Sequence, residues 1–395
     1  MAIAASSLSG PLLLLLFFSL VISDLLTGSH AGTGVGINYG QIADNLPSHS
    51  SVVTLLQSLN IKRVKLYDAD PDVLEAFSGS DVEFVVGLGN EYLQKMTDPA
   101  QAQAWVQQNI QPHVGKTKIT CITVGNEVVT GTDLQARSSL LPAMKSVRNA
   151  LVNLGLEKEI SVNTAHAYSA MAVSFPPSAG AFKPELVETI RGILDFNAET
   201  NAPFLVNAYP YFAYKADPAG VPLDYVLFRS NRGTTDPAAN LKYDNMLYAQ
   251  IDAVYSAIKA LGHTDVQVKV SETGWPSKGD EGEAGASREN AAAYNGNLLR
   301  RIAKGEGTPA NPSVPVDVYI FALFNENLKP GPTSERNYGL YYPDRSPVYD
   351  IKLQQPDGGV IPEMEYSAAS DHRVSVLAFQ IPKMLKIHES QIIYI

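Results

Sequence analysis

Cysteine is almost absent from this chain, since Cys121 is the only one among 395 residues. An intramolecular disulfide is therefore excluded, and no part of the fold can depend on such a cross-link. A chain of this length can bury enough apolar surface to fold without one. Because Cys121 lies inside an apolar, strand-like segment, we expect a buried and unreactive thiol.

Positive charge and metal-binding patterns are scarce as well. The formal net charge is −10 and no basic run occurs, whereas affinity for nucleic acid depends on Lys and Arg neutralising phosphates. The seven histidines show no His-Glu-X-X-His pattern and no other paired spacing, so no metal site is predicted. Gly34, Gly36 and Gly40 miss the spacing of the dinucleotide fingerprint, and no helix begins there. Nucleic acid and a bound dinucleotide are therefore not expected.

Long apolar stretches are missing except at the N-terminus. Residues 11–22 are almost unbroken Leu, Phe, Val and Ile, a run shorter than the roughly 20 residues of a membrane-spanning helix. Small residues at positions 29 and 31 fit a cleavage site, although no Lys or Arg precedes the apolar run. The sequence predicts a secretory signal peptide over residues 1–31, with the mature chain beginning near Gly32, and no membrane span.

Strand-like and helix-like segments then alternate along most of the chain. The strand-like segments are 34–40, 61–68, 82–89, 119–128, 160–166, 204–211, 266–275 and 316–326. The helix-like segments are 51–59, 71–77, 99–110, 138–154, 184–199, 243–261 and 288–303. Eight such strands joined by helices favour an α/β protein with a (β/α)8 TIM barrel as its single catalytic domain, over residues 32–350. An open, doubly wound sheet is the alternative. Beyond that domain the pattern fades, and residues 351–395 are predicted to be a poorly ordered or loosely packed tail.

Two glutamates stand at the ends of different predicted strands. Glu127 ends the fourth and Glu272 lies near the end of the seventh, so a barrel would place both at its mouth. Hydrolysis of a glycosidic bond needs such a pair, one acid to protonate the leaving oxygen and one carboxylate to attack carbon or activate water. The spacing between the carboxyl groups, which separates retention from inversion, stays open here. Asn126 could reach the same sugar only if the strand ends or bulges there.

Several motifs resemble those of glycoside hydrolase family 17, the plant endo-β-1,3-glucanases and their β-1,3-1,4 relatives. The clearest is Val-Ser-Glu-Thr-Gly-Trp-Pro-Ser at 270–277. Others are Gly-Ile-Asn-Tyr-Gly-Gln at 36–41, Val-Lys-Leu-Tyr-Asp at 64–68, Thr-Val-Gly-Asn-Glu at 123–127, Asn-Ala-Tyr-Pro-Tyr-Phe at 207–212 and Phe-Asn-Glu-Asn-Leu-Lys-Pro at 324–330. The resemblance covers residues 34–349 and implies a (β/α)8 barrel that retains anomeric configuration.

The resemblance also assigns roles to individual residues. Glu127 is similar to the proton donor of the family and Glu272 to its nucleophile, while Glu326, Lys329 and Glu335 are similar to residues that support the site. Neither a metal nor an organic cofactor is implied.

Four aromatic residues are further candidates near the strand ends. Tyr39, Tyr209 and Phe324 could stack on sugar rings, Tyr209 could instead hydrogen-bond the nucleophile, and core packing is the alternative for each. Trp275 is either a sugar platform or a packing residue for the turn at 273–274. Arg63 and Lys65 could orient carboxylates or form structural ion pairs.

The predicted function is therefore a secreted, retaining endo-β-1,3-glucanase that acts by double displacement on cell-wall glucans, either callose or fungal polymers. A mixed-linkage β-1,3-1,4-glucanase and a non-catalytic glucan-binding barrel are the alternatives. A monomer located outside the cell or in the cell wall is expected, with the vacuole as another destination. The choice between callose turnover and plant defence stays open.

Overall fold

The computed structural model describes residues 35–350, and these form a closed barrel of eight parallel strands. The strands are β1 (Gly36–Asn38), β2 (Arg63–Lys65), β3 (Glu83–Leu88), β4 (Lys118–Asn126), β5 (Ser161–Ala167), β6 (Phe204–Asn207), β7 (Val268–Thr273) and β8 (Val318–Ile320). They follow one another around the barrel in chain order, and β1 pairs with β8 to close it. The predicted (β/α)8 barrel is confirmed, and the open sheet is wrong.

Helices surround the barrel and alternate with its strands. They are α1 (His49–Ser58), α2 (Pro71–Ala76), α3 (Leu93–Met96), α4 (Pro99–Asn109), α5 (Leu134–Leu154), α6 (Val187–Thr200), α7 (Pro210–Ala216), α8 (Leu223–Val226), α9 (Met246–Ala260) and α10 (Arg288–Ile302). Side-chain caps define several of their starts: Asp98 accepts a hydrogen bond from an amide of α4, and Asp133 accepts two from α5. Gly155 ends α5 in the left-handed conformation, at φ 69°.

Some predicted boundaries differ from the observed ones for local reasons. Helix α5 begins at Leu134 rather than 138, because Asp133 caps it there. The segment predicted as a strand over 204–211 changes to helix at Pro210, whose ring favours the first helical position. The strand predicted over 316–326 is regular only over Val318–Ile320.

Two long connections rise from the carboxyl ends of the strands and carry structure of their own. The β5 loop, residues 168–186, contains a two-stranded hairpin formed by Met171–Val173 and Ala181–Phe182. The β6 excursion, residues 208–245, contains α7, α8 and a second hairpin formed by Thr234–Asp236 and Leu241–Tyr243. This second connection was predicted as a plain loop over 212–241. Both stand on the face of the barrel where the active sites of such folds lie.

The interior supports the expectations made for the apolar residues and the thiol. The main core fills the layer between the barrel and the helices, whereas Cys121 is buried in a separate small cluster with Val85 and Tyr319. Burial raises the pKa of the Cys121 thiol to about 11, which keeps it protonated and unreactive. No helix within residues 35–350 is both long and apolar enough to cross a bilayer. The predicted signal peptide and the tail over 351–395 lie outside the described residues.

His166 is a polar group in the apolar layer outside β5. Its ring stacks on Phe204 with centroids 4.3 Å apart, and neither ring nitrogen has a hydrogen-bond partner among the described residues. Burial lowers the pKa of His166 to about 3, so the folded protein holds this side chain neutral.

Replacing His166 with Phe is expected to make the fold less sensitive to acid. An unfolded chain binds a proton at His166 below a pKa of about 6.5, whereas the folded chain does so only near 3. The contribution of neutral His166 to stability is therefore full above about pH 6.5 and is lost as the pH falls toward 3, by about 2 kcal/mol at pH 5. Urea unfolding at about pH 8 and pH 5 measures this. The free energy of unfolding should fall less with acid in the variant, and an equal fall in both proteins would contradict the prediction.

Candidate active site

The end of β4 is shaped so that two neighbouring side chains face the same cleft. The register between β4 and β5 shifts between Thr123 and Asn126, which marks a bulge. Gly125 and Glu127 then take left-handed conformations, with φ of 68° and 57°. Gly125 suits this position because a Cβ there would approach a side-chain carbon of Val128 to 2.6 Å. Asn126 and Glu127 consequently both line the cleft, as their use on one sugar requires.

Glu272 lies at the end of β7, almost fully buried, in the same cleft. The Lys65 ammonium nitrogen is 2.8 Å from its Oε1, and the Tyr209 hydroxyl donates a hydrogen bond of 3.0 Å to its Oε2. The side chain of Tyr67 lines the same cleft. The Lys65 ammonium in turn lies 4.2 Å from the centroid of the Tyr67 ring. Glu272 is thus a buried carboxylate held from several sides.

Asn207, at the end of β6, connects the two glutamate-bearing strands. Its Nδ2 donates to Glu127 Oε1 at 2.9 Å and to Asn126 Oδ1 at 3.3 Å. Its Oδ1 accepts a hydrogen bond of 2.6 Å from Ser271, the residue before Glu272. A single amide therefore sets the position of the β4 end relative to the β7 end.

The bulge itself is held by Asn90 from the loop after β3. The Asn126 amide donates to Asn90 Oδ1 at 2.8 Å, and Asn90 Nδ2 donates to the Asn126 carbonyl at 3.0 Å. The Glu127 amide donates to the Ala165 carbonyl at 2.8 Å. These bonds satisfy the backbone groups that an irregular strand end would otherwise leave unpaired.

The two glutamates differ in protonation because their surroundings differ. Burial raises the pKa of Glu127 to about 7, with the negative charge of Glu272 as the second cause. For Glu272, burial alone would raise the pKa, but the charge and hydrogen bond of Lys65 outweigh it and hold the pKa below its ordinary value. In mildly acidic solution the site therefore contains one neutral carboxylic acid and one carboxylate, the states required of a proton donor and a nucleophile.

Glu326, Lys329 and Glu335 all line the cleft, around the loop that follows β8. The ammonium nitrogen of Lys329 lies 3.7 Å from Glu335 Oε2 and 4.1 Å from the ring centroid of Phe321. Glu326 Oε1 accepts a hydrogen bond of 2.9 Å from the Ile42 amide. Burial raises the pKa of both Glu326 and Glu335. Their supporting role stays a prediction, and their position in the cleft that contains both glutamates is compatible with it.

The predicted sugar platforms need correction. Trp275 is 0% exposed: its Nε1 donates to the Gly285 carbonyl at 2.8 Å and its ring packs on Tyr211, so it is the packing residue of the two alternatives. Phe324 is 2% and Tyr39 1% exposed, and the two rings meet edge to face with centroids 6.0 Å apart. Trp275 and Phe324 lie outside the cleft lining and offer no ring face to a sugar, so stacking by these two is wrong, whereas Tyr39 lines the cleft and its role stays a prediction.

Other aromatic and polar residues occupy the site without having been predicted. Phe175 and Phe212 line the cleft with 61% and 44% of their surface exposed. Asn207 and Tyr67 both lie near strand ends and inside motifs quoted above. Those two features of the sequence could have identified them as site residues. Of the two roles considered for Lys65 and Arg63, Lys65 has the first, because it contacts the Glu272 carboxylate. Arg63 instead forms an ion pair with Asp317 at 2.7 Å, outside the cleft.

The cleft has a volume of about 2530 Å³, beyond the roughly 300–1,000 Å³ of ordinary small-molecule pockets. That size suits a polymer rather than a single sugar. Among residues 35–350 no group of three or more His, Cys, Asp or Glu side chains is arranged to hold a metal ion. The chemistry that the described side chains themselves support is proton transfer combined with nucleophilic attack by a carboxylate.

Comparison with known proteins places these features in a family. The sequence pattern described as "Glycosyl hydrolases family 17" matches residues 35–353. A protein from Arabidopsis thaliana named glucan endo-1,3-beta-glucosidase 14 is 59% identical over 92% of this chain and 91% of its own. A glucan endo-1,3-beta-D-glucosidase from Olea europaea is 41% identical over 86% of this chain and 74% of its own.

Among solved structures, the chain resembles CJP38, a beta-1,3-glucanase and allergen of Cryptomeria japonica pollen. The two are 40% identical with a TM-score of 0.79, over 82% of this chain and 100% of the other. A plant beta-glucan endohydrolase is 38% identical with a TM-score of 0.75, over 80% of this chain and 100% of its own. The motifs, the barrel and these similarities agree, and the chain belongs to glycosyl hydrolase family 17.

Proposed function

We propose that this protein is an endo-acting hydrolase of β-1,3-glucans that retains the anomeric configuration. The observation that carries the proposal is the pair of glutamates in one cleft with opposite pKa shifts, Glu127 raised to about 7 and Glu272 lowered. The linkage is supported by the names of the relatives, which are glucan endo-1,3-beta-glucosidases. The size of the cleft favours attack within a chain, because a polymer can lie across it.

The reaction proceeds by two displacements at the same carbon. Glu272 attacks the anomeric carbon, the bond from that carbon to the glycosidic oxygen breaks, and Glu127 gives its proton to the departing oxygen. Glu127, now a carboxylate, takes a proton from a water molecule whose oxygen attacks the same carbon. The bond to Glu272 breaks, and both glutamates return to their starting states. Two inversions leave the β configuration unchanged.

The surrounding residues fit these steps. Lys65 and Tyr209 hold the Glu272 carboxylate ionised and oriented before attack. Asn207 orients Glu127 and Asn126 through hydrogen bonds to both, and Asn126, which lines the cleft beside Glu127, supplies the amide for a sugar hydroxyl next to the reacting carbon. Hydrogen bonds of this kind strengthen in the transition state.

Product analysis on defined polymers tests the proposal. Purified protein should release reducing sugar from a linear β-1,3-glucan, faster than from a mixed-linkage β-1,3-1,4-glucan and far faster than from cellulose. Proton NMR during the first minutes should show the β anomer before mutarotation. Initial α anomer would overturn retention, and faster cleavage of the mixed-linkage polymer would overturn the linkage. Binding without release would support the non-catalytic barrel.

Replacing Lys65 with Met is expected to lower kcat/KM about 100-fold and to move the acidic limb of the pH profile upward. Glu272 must be ionised to attack, and removal of the neighbouring cation raises its pKa, so activity is then lost at a higher pH as acid is added. The measurement is kcat/KM across pH on a linear β-1,3-glucan. Lys62→Met is the matched control, because Lys62 lies next to the same strand but pairs with Asp81 at the surface. An unchanged acidic limb in the Lys65 variant would contradict its role.

We also propose that the protein is secreted to the cell exterior or wall, with the vacuole as the alternative, on the strength of the apolar run at 11–22, and that it is a monomer. N-terminal sequencing of protein purified from the medium of a eukaryotic host should find a start near Gly32. Retention of residues 11–22 would exclude a cleaved signal peptide. Light scattering would test the oligomeric state.

A further inference from the structure

One wall of the cleft is built jointly by the β5 loop and the β6 excursion. Tyr168, Phe175 and Lys183 line the cleft from the β5 loop, and Tyr225 and Thr234 line it from the β6 excursion. The exposed ring of Phe175 and the polar groups around it give this wall the mixed aromatic and polar character of a carbohydrate-binding surface. The wall begins beside Glu127, because β5 neighbours β4 in the barrel.

The two halves of the wall meet behind it, at Asp236. This carboxylate is 0% exposed and lies outside the cleft lining. Its Oδ2 accepts a hydrogen bond of 2.7 Å from the Ser178 amide, and its Oδ1 accepts one of 2.9 Å from the Ser178 hydroxyl. Oδ1 also accepts from the amides of Ala238 and Ala239, at 3.1 and 3.2 Å. Asp236 therefore bonds both to the β5 loop and to the turn of its own hairpin.

Each half of the wall depends on such outside contacts. The hairpin strands are two or three residues long, and an isolated two-stranded hairpin is marginally stable in water. The back of the β5 loop packs against α9 so closely that a Cβ at Gly180 would lie 2.0 Å from the Ala253 carbonyl oxygen. Although burial alone would raise the pKa of Asp236, hydrogen bonds from Ser178 and the turn amides hold it below its ordinary value. The carboxylate is thus an ionised, fully bonded connection between two short elements.

We propose that Asp236 is a positioning residue for substrate, joining the β5 loop to the β6 excursion so that their shared wall binds glucosyl units distant from the cleaved bond. This inference rests on the proposed function, since it concerns the same cleft. Its consequence is a dependence of activity on chain length. A long glucan gains binding from the wall, whereas a trisaccharide that spans the cleaved bond gains little of it.

Asp236→Asn and Ser178→Ala test the inference. The amide of Asn would direct an N–H donor either at the Ser178 amide or at the amides of Ala238 and Ala239, none of which can accept it. The Ala variant removes one bond at an exposed residue without disturbing the core. The measured quantity is kcat/KM on a linear β-1,3-glucan polymer divided by kcat/KM on its trisaccharide. This ratio should fall about tenfold for Asp236→Asn and about threefold for Ser178→Ala, mainly through a higher KM on the polymer.

Asp344 and Ser346 provide a matched control. There too a serine donates from its amide and hydroxyl to one aspartate, at 2.9 and 2.6 Å, but in an exposed turn outside the cleft lining. Asp344→Asn and Ser346→Ala should leave the ratio unchanged. An equal loss on both substrates in the Asp236 variant, or no loss on either, would overturn the positioning role, and thermal unfolding would identify a merely structural defect.

Binding to the polymer separates this inference from the proposed function. In a Glu272→Gln background, Asp236→Asn should weaken retention by immobilised β-1,3-glucan in affinity electrophoresis about tenfold. If the wild-type protein released no sugar but this loss of binding occurred, the proposed function would fail and the role of Asp236 would stand. If the wild-type protein released sugar but the Glu272→Gln protein was retained equally with and without Asp236→Asn, the proposed function would stand and the role of Asp236 would fail.

Discussion

Replacing Glu272 with glycine is expected to lower kcat/KM on a linear β-1,3-glucan by a factor of about 10⁵ or more. In the proposed mechanism Glu272 supplies the oxygen that bonds to the anomeric carbon, and the variant lacks it. Lys65 and Tyr209, which hold Glu272 at 2.8 and 3.0 Å, are donors rather than nucleophiles. Reducing-sugar release from the purified variant measures the loss.

Added azide should restore part of the activity of Glu272→Gly and identify the attacked face. The small anion enters the space of the lost carboxylate and attacks the anomeric carbon, while Glu127 still protonates the departing oxygen. One displacement in place of two yields a glycosyl azide of α configuration, which NMR distinguishes from the β form. Glu281→Gly, at an exposed acid in the loop after β7, should retain wild-type activity. A β-azide from the Glu272 variant would reverse the two assignments.

Replacing Glu127 with Ala is expected to lower turnover of the glucan about 10³- to 10⁴-fold by removing the proton donor. The loss should be smaller for the first step on a dinitrophenyl glycoside, whose leaving group departs without protonation. Azide should then give a β-configured product, because Glu272 still forms the covalent intermediate and azide replaces the water in the second displacement. Such a pattern distinguishes the loss of the acid from general damage to the site, which would lower activity on both substrates equally.

The pH profile gives an independent reading of the same variant. Glu127 must be protonated to act, and its pKa is raised to about 7, so the wild-type kcat/KM should fall as the pH rises through that value. The alanine variant has no proton there to lose, and its alkaline limb near 7 should disappear on the activated substrate. Persistence of that limb would mean that another group is the acid. Glu159→Ala, at an exposed site remote from the cleft, serves as the control.

The buried pair of Lys65 and Glu272 is better explained by chemistry than by stability. Both side chains are less than a tenth exposed, and removing two charges from water costs about as much as their attraction returns. The arrangement nevertheless holds a carboxylate ionised inside the protein, where it is poorly hydrated and ready to react. The barrel maintains this site by burying apolar side chains elsewhere in its core.

Trp275 shows how far a sequence motif can be interpreted locally. An aromatic three residues after an acid at a strand end is compatible with a sugar platform and with a packed core. Whether its ring is free depends on Tyr211 and Tyr294, which close over it from 64 residues before and 19 residues after in the chain. Phe175 presents the opposite case, since an unremarkable loop position becomes the most exposed ring of the cleft wall.

The sequence by itself determined the barrel and the two glutamates at its mouth. Both depend on local order, namely the alternation of strands with helices and the position of an acid at a strand end. Only the tertiary structure decided what state each glutamate adopts. Glu272 is held ionised by Lys65, 207 residues away, and by Tyr209, 63 residues away. Glu127 is held protonated by burial and by Glu272 itself. A pKa is set by charges and solvent within a few ångströms, and neighbours so distant in the chain are defined only when the barrel closes.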